Sequence, residues 1–278
     1  GATYWLPAGE GDARVADRAA LEAEVRARIG QAVGEHAQRR ETLPGAFLSG
    51  GLDSSTVAGY LQEAAGGRAH TYTIGFGTTE YDESRYARLS ADHFHTTHHE
   101  YHVTPRDVLD AVPRIAAFFD EPFGNSSSVP VYYCAKFARD SGTTALLAGD
   151  GGDELFAGNE RYATQHLFEQ YFSVPAPIRT LAERTYELIP ALQTLPLVRK
   201  GHRYIVQARV PLPDRLQRYN FMHRFQPAEV LAADLLPHVD TGAPLQALRR
   251  RYREPDTGSA LNRMLYLDWK FTLADNDL

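Results

Sequence analysis

Two short stretches hold most of the residues that could do chemistry. The first is Leu48-Ser49-Gly50-Gly51-Leu52-Asp53-Ser54-Ser55. Its adjacent glycines let the backbone turn tightly and approach a ligand. Hydroxyls at Ser49, Ser54 and Ser55 surround them, and Asp53 could hold a hard cation. The second stretch is Gly149-Asp150-Gly151-Gly152-Asp153-Glu154, which puts glycines and carboxylates on one turn. Mutual repulsion makes such a turn costly unless a cation or a polar ligand compensates it. Asp53 and Asp153 together could hold Mg2+, which takes one or two protein carboxylates plus phosphate oxygens. The plain structural alternatives are a Gly/Ser turn before an ordinary helix and an acidic turn capping the next one.

The flanks give the first stretch its context. Leu43-Pro44-Gly45-Ala46-Phe47-Leu48 predicts a short buried strand, and Thr56-Val57-Ala58-Gly59-Tyr60-Leu61 a helix with an apolar stripe. A strand, a Gly/Ser loop and a helix start make an anion site, because free N–H groups and the helix dipole both favour phosphate. The loop is not a Walker A motif, which needs a lysine before the Ser/Thr pair and wider glycine spacing. Nor is it the dinucleotide GxGxxG.

Around these loops the chain alternates strands and helices. Leu21, Val25, Ile29 and Val33 recur at spacing four within residues 17–39 and predict a helix. Strands are predicted at 43–48, 71–76, 98–103 and 145–148. Helices are predicted at 82–94, beginning at a carboxylate cap, and at 106–119 and 131–139. This alternation predicts an α/β fold with a doubly wound parallel sheet. In such a sheet ligands bind beyond the carboxyl ends of the strands, where both Gly-rich stretches fall. Past residue 160 the strand signals fade. Helices are predicted at 165–172, 176–188, 214–224, 227–236, 244–252 and 258–271. The expected division is an α/β domain over 1–165 and a helical region over 166–278.

Bulk properties narrow the function classes. With 43% hydrophobic and 23% charged residues the 278-residue chain is an ordinary globular sequence. A net charge of −6 argues against a broad nucleic-acid surface. The basic run from Arg199 to Arg209, and Arg249-Arg250-Arg251 with Arg253, reads as solvated helical faces or an interface. The single cysteine, Cys134, excludes an intrachain disulfide and a thiolate zinc cluster; a cytoplasmic location is expected. No apolar run is long enough for a membrane span. His93, His95, His98, His99 and His102 look like a metal cluster, but strand alternation sends His98 and His102 to one face and His99 to the other. Tyr162, Phe168, Tyr171 and Phe172 read as packing residues, as does Cys134. Tyr4-Trp5 is expected to pack against an upstream domain.

Ser-Gly-Gly-Leu-Asp-Ser-Ser resembles the pyrophosphate loop of the N-type ATP pyrophosphatases. Followed by Gly-Asp-Gly-Gly-Asp-Glu-Leu-Phe-Ala-Gly, it resembles more narrowly the synthetase domain of glutamine-dependent asparagine synthetases, whose relatives include β-lactam synthetases and lasso-peptide cyclases. Tyr72–Phe76, His98–His102, Asp120-Glu121-Pro122 and Ser126–Pro130 extend the likeness, which is close over 1–165 and weak beyond. The resemblance implies ATP and Mg2+ as cofactors. Ser49, Gly50, Gly51, Ser54 and Ser55 would cradle pyrophosphate, and Asp53 and Asp153 would hold the metal. Leu48, Ile74 and the Gly149 backbone would line the adenine and ribose pocket. Asp150 would sit by the acyl-adenylate, where many relatives carry glutamate.

The same resemblance implies a small carboxylate substrate, aspartate first, and a glutaminase domain supplying ammonia from elsewhere in a longer chain. A homodimer is a further partner expectation. The glutaminase domain with its terminal cysteine nucleophile is not in this sequence, and Leu265–Leu273 looks like the lead-in to the family's later catalytic region. A truncated synthetase domain is therefore expected. Two rival functions stay open: intramolecular amide closure on the same fold, and a non-catalytic nucleotide-binding module.

Overall fold

The computed structural model describes residues 17–39, 42–77, 83–120, 126–188, 194–217 and 225–277. Asp17 caps the first helix, α1 (Arg18–Gln38), by accepting from the N–H groups of Ala19 and Ala20. Then come β1 (Gly45–Phe47), α2 (Leu52–Ala64), β2 (His70–Phe76), α3 (Ser84–Phe94), β3 (Thr97–Val103), α4 (Pro105–Phe118), α5 (Ser128–Asp140) and β4 (Leu146–Leu147). The four strands are parallel, in the order β3-β2-β1-β4. The chain winds outward from β1 through β2 to β3 and then returns to the other side of β1 as β4. The predicted doubly wound parallel sheet is the one that forms.

Helices cover both faces. On one, Ala46 and Leu48 pack with Val33 and Ala37 of α1, Ala58 and Leu61 of α2, and Ala87 and Ala91 of α3. The many alanines let these helices lie close to the sheet. On the other face Phe47, Tyr72, Ile74 and Leu146 meet Cys134, Phe137 and Ala138 of α5. Cys134 is a packed core thiol, and burial pushes it up to about 12. The stripe expected along α1 is buried only toward its C-terminal end, since Leu21 remains 46% exposed.

Strand β3 alternates as the sequence predicts. His98 and Glu100 face the α3 side, where Thr71 Oγ1 lies 3.1 Å from His98 Nδ1 and Arg88 donates to both Glu100 oxygens. His99 faces the other way and bonds His70 of β2, Nδ1 to Nε2, at 2.9 Å. Among the described residues no group of three or more His, Cys, Asp or Glu side chains could hold a metal ion.

The described residues fall into two compact units that divide between Gly152 and Asp153. In the second unit every described element is helical. After α6 (Gly152–Phe156) come α7 (Glu160–Ser173), α8 (Ala176–Leu188) and helices at Pro196–Ala208, Asp214–Gln217, Pro227–Val230, Ala243–Tyr252 and Ala260–Asp268. Tyr162, Leu248, Tyr252, Met264 and Leu267 form its core. Tyr162 and Phe168 are buried, as expected of packing aromatics, whereas Phe172 is 41% exposed. Arg215 is 1% exposed; it donates to Gln165 Oε1, Ala208 O and Glu169 Oε1 and lies over the Phe168 ring.

Several boundaries differ from expectation. Pro196–Ala208 is a helix outside the predicted set. Its pattern is amphipathic, its basic residues forming the polar side, and Pro196 marks its first turn. The helix expected over 227–236 stops at Val230, because Leu231 is extended (φ −97°, ψ 143°). The helix expected over 258–271 is α-helical to Asp268 and π-helical from Trp269 to Asp277. The expected cap at Asp82, Glu121-Pro122, residues 218–224 and Tyr4-Trp5 lie outside the described residues. No described helix is long and apolar enough to cross a membrane.

Two stability predictions follow from these contacts. Arg215→Ala removes the cation that bonds the buried Gln165 and the part-buried Glu169, so chemical denaturation should show a loss of about 2 kcal/mol or more. The second concerns Glu100, whose carboxyl the Arg88 guanidinium holds below the usual carboxylate range. A folded value below the unfolded one contributes stability that is present above the unfolded value and is lost as pH falls through the folded one. The advantage of the wild type over Glu100→Gln should therefore shrink between about pH 6 and about pH 3.

Candidate active site

β1 ends against β2 through two bonds at Leu48. The Leu48 N–H donates to Tyr72 O at 2.9 Å, and Thr73 Oγ1 donates to Leu48 O. The chain then enters the Ser49–Gly51 turn, and Gly51 is the N-cap of α2 with no side-chain cap bond. Gly50 has φ +87°, a conformation suited to glycine. A Cβ there would lie 2.5 Å from Ala87 N and 2.6 Å from Tyr86 C, so the start of α3 walls the loop. Ser55 Oγ lies 2.9 Å from Ser90 Oγ, fixing the first turn of α2 to α3.

Within the turn, Ser54 is 8% exposed and sits at the centre of the hydrogen bonds. Ser49 N donates to Ser54 Oγ at 3.2 Å, the two hydroxyls lie 3.0 Å apart, and Ser54 Oγ reaches Gly51 O at 3.3 Å. Gly51 N in turn donates to Ser49 Oγ at 3.2 Å. Asp53, partly buried, occupies the first turn of α2, where the helix dipole favours a carboxylate.

The turn after β4 closes on this loop from the neighbouring strand. Gly152 N donates to Gly149 O at 3.2 Å, and Gly151 has φ +92°. A Cβ on Gly149 would come 2.7 Å from Ser54 N. One on Gly152 would come 2.5 Å from Asp53 Cγ and 2.6 Å from its Oδ2. Two glycines thus admit the Asp53 carboxylate and the α2 backbone into contact with the second loop. The meeting point lies beyond the carboxyl ends of β1 and β4, where the strand order reverses, the usual ligand position in a sheet of this type.

The predicted site residues divide accordingly. Ser49, Gly50, Gly51, Asp53, Ser54 and Ser55 come together with Gly149, and Asp150 is exposed on the same turn as Gly149. Leu48 and Ile74 pack into core clusters on opposite faces of the sheet, Leu48 at 1% exposure. Asp153, in the first turn of α6, belongs to the second unit, where its carboxylate lies against Gly158 beyond the helix end. Beside it, burial and the charges of Asp153 and Asp268 hold Glu154 above the usual carboxylate range. Asp268 pairs with Arg161 at 2.8 Å and is itself raised by burial. Gly152 lies within the acidic turn that the sequence singles out, though with no role of its own assigned there; Tyr86 and Ser90 carry no signal in the sequence. A shallow concavity between α1 and α2, lined by Arg26, Gly30, Gln31, Tyr60 and Glu63, stands apart from both loops.

Comparison with known proteins supplies the family. The sequence profile described as Asparagine synthase matches residues 24–278. This chain belongs to the asparagine synthase family. It is similar to putative asparagine synthetase (glutamine-hydrolyzing) 2 of Methanocaldococcus jannaschii, 37% identical over 147 residues, 52% of this chain and 28% of that protein. Against asparagine synthetase (glutamine-hydrolyzing) 1 of Bacillus subtilis the identity is 26% over 246 residues, covering 88% of this chain and 37% of the relative. Asparagine synthetase (glutamine-hydrolyzing) 2 of Oryza sativa is 31% identical over 186 residues, 62% of this chain and 29% of the relative. The chain thus spans well under half the length of these members of the asparagine synthase family.

The crowding at Gly50 can be separated from its backbone conformation. Gly67 has nearly the same φ, +88°, with nothing near a built Cβ. Gly67→Ala should lower the unfolding free energy by about 1 kcal/mol. Gly50→Ala should lower it by a further 1–3 kcal/mol or so, because the loop must move off α3; denaturant titration of both variants measures the difference.

Proposed function

We propose that this chain is the nucleotide-binding and adenylating part of an amide-forming ligase that converts aspartate to asparagine. The reading rests on one observation above the rest. Gly149 and Gly152 admit Asp53 and the start of α2 at the switch point of a parallel sheet, in a chain of the asparagine synthase family. In this reading a carboxylate oxygen of aspartate attacks the α-phosphorus of ATP. The bond from that phosphorus to the bridging oxygen breaks, and pyrophosphate leaves. Ammonia then attacks the acyl carbon of the adenylate, AMP departs with the bonding electrons, and one proton is lost as the amide forms. The names of the relatives include glutamine hydrolysis, and on that likeness the ammonia comes from glutamine in the longer protein.

The chain's residues take the following parts. Ser49, Gly50, Gly51, Ser54 and Ser55 shape the cradle for the β- and γ-phosphates, restraining them so that attack proceeds in line. The Gly149 backbone and the main chain at the ends of β1 and β2, at Leu48 and Ile74, border the adenine and ribose, while the side chains of those two residues stay in the core. Asp150 lies by the acyl-adenylate, its exposed carboxylate able to orient the incoming amine or take its proton. Asp53 and Asp153 would hold Mg2+, whose charge neutralises the leaving pyrophosphate. The donor chemistry fits: Asp53 offers hard oxygens at a helix start, and an ion bound by so few carboxylates completes its shell with phosphate oxygens and water.

The test is nucleotide product analysis on the full-length protein with Mg-ATP, aspartate and ammonium. AMP and asparagine should form in equal amounts, and Asp53→Ala should reduce both on the order of a hundredfold or more. AMP formed only with other carboxylates would move the reading to intramolecular amide closure. ATP binding with no AMP from any acid would leave a nucleotide-binding module and end the catalytic reading.

A further inference from the structure

The three serines of the loop do not stand in equivalent positions. Ser54 is nearly buried, and a hydroxyl has one proton to donate and two lone pairs to accept with. One lone pair accepts the Ser49 N–H at 3.2 Å. The proton has two partners within reach, Ser49 Oγ at 3.0 Å and Gly51 O at 3.3 Å, and both belong to the loop. Whichever it takes, none is left for a bound anion. Ser55 is engaged sideways with Ser90 of α3. Ser49, by contrast, is exposed, and its proton is available to a ligand whenever Ser54 donates to Ser49 Oγ.

The backbone offers the remaining donors. The Gly50 N–H meets no acceptor among the described residues. Leu52 is the first residue of α2, where the N–H has no intrahelical partner, and Gly51 places no side chain over it. The turn that exposes these groups is the one that Ser54 holds shut from inside.

We propose that Ser54 is a positioning residue for the phosphate loop. It fixes the Ser49–Gly51 turn, and the loop meets an anion with the Ser49 hydroxyl and the backbone N–H groups of Gly50 and Leu52. Ser90 supports the same arrangement by anchoring α2 through Ser55. This assignment rests on the nucleotide reading above and refines it, because it separates the hydroxyl that touches phosphate from the one that shapes the turn.

The deciding experiment pairs inorganic pyrophosphate binding, titrated calorimetrically with magnesium present, with amide hydrogen exchange in the ligand-free protein. It uses the full-length chain as wild type, Ser54→Ala and Ser49→Ala. The Ser49 amide should be protected in the wild type and lose protection in Ser54→Ala. Pyrophosphate affinity should fall roughly five- to tenfold in that variant. Ser49→Ala, at an exposed position, keeps the partner of that amide, so protection should persist while affinity falls by a similar factor. Two results would overturn the assignment: Ser54→Ala with unchanged affinity, or weakened affinity with the Ser49 amide still protected, which is the mark of direct contact. A wild type that binds neither pyrophosphate nor Mg-ATP would instead remove the nucleotide reading and this assignment together. Ser49→Ala with unchanged affinity would overturn the assigned hydroxyl even if Ser54→Ala did not fold.

Discussion

How closely one backbone can approach another governs the candidate site. The Gly149–Gly152 turn touches the start of α2 so tightly that a single added carbon on either glycine would overlap Asp53 or Ser54. That approach fixes where the Asp53 carboxylate sits, and through α2 it fixes the loop preceding it. The loop is confined on its other flank by α3 at Gly50. Three close approaches, two between main chains and one of main chain against the Asp53 carboxylate, each possible because a side chain is missing, therefore define the place. The polar groups are added to a shape that sterics have already set.

The sheet supplies the reason these segments meet at all. β1 is central, and its two neighbours are reached by crossovers running in opposite directions. The connections leaving β1 and β4 must therefore part from each other, opening a crevice between them. Both Gly-rich turns leave their strands at that opening. The helical unit is held differently, by a buried guanidinium at Arg215 satisfied by Gln165, Glu169 and a backbone carbonyl. Such an arrangement is sensitive to losing an acceptor, because the guanidinium is then left buried with less compensation.

Much of this was legible in the sequence, for a physical reason. Alternating apolar strands and amphipathic helices encode a parallel sheet locally, and Gly-rich turns at strand ends mark the crevice without knowledge of the fold. The alternation in Thr97–Val103 likewise assigned His98 and His99 to opposite faces. Long-range contacts left no such mark. The pairing of His70 with His99 depends on the register of β2 against β3. The wall that Tyr86 and Ala87 raise beside Gly50, and the link from Ser55 to Ser90, depend on how α3 packs. Ser54 and Ser49 read alike in sequence, yet one faces inward and the other outward. The basic run within Pro196–Ala208 was legible as a solvated helical face but not as an element with bounds, and the change from α to π winding at Trp269 comes next to a part-buried ion pair at Asp268 with no Gly or Pro signal.

The strand order has one more effect, on the protein's behaviour in company. Strands at the rim of a sheet carry unpaired main-chain groups and invite pairing with other molecules. Here the rim positions of the described sheet fall to β4 and β3. β4 is two residues long, too short to template a foreign strand. β3 is longer, but it carries three histidines and Glu100, with Arg88 clamped across its face. Brevity on one rim and polar, charged groups on the other both disfavour edge-to-edge association. The histidine-rich sequence that resembles a metal cluster thus has a use as a barrier to aggregation.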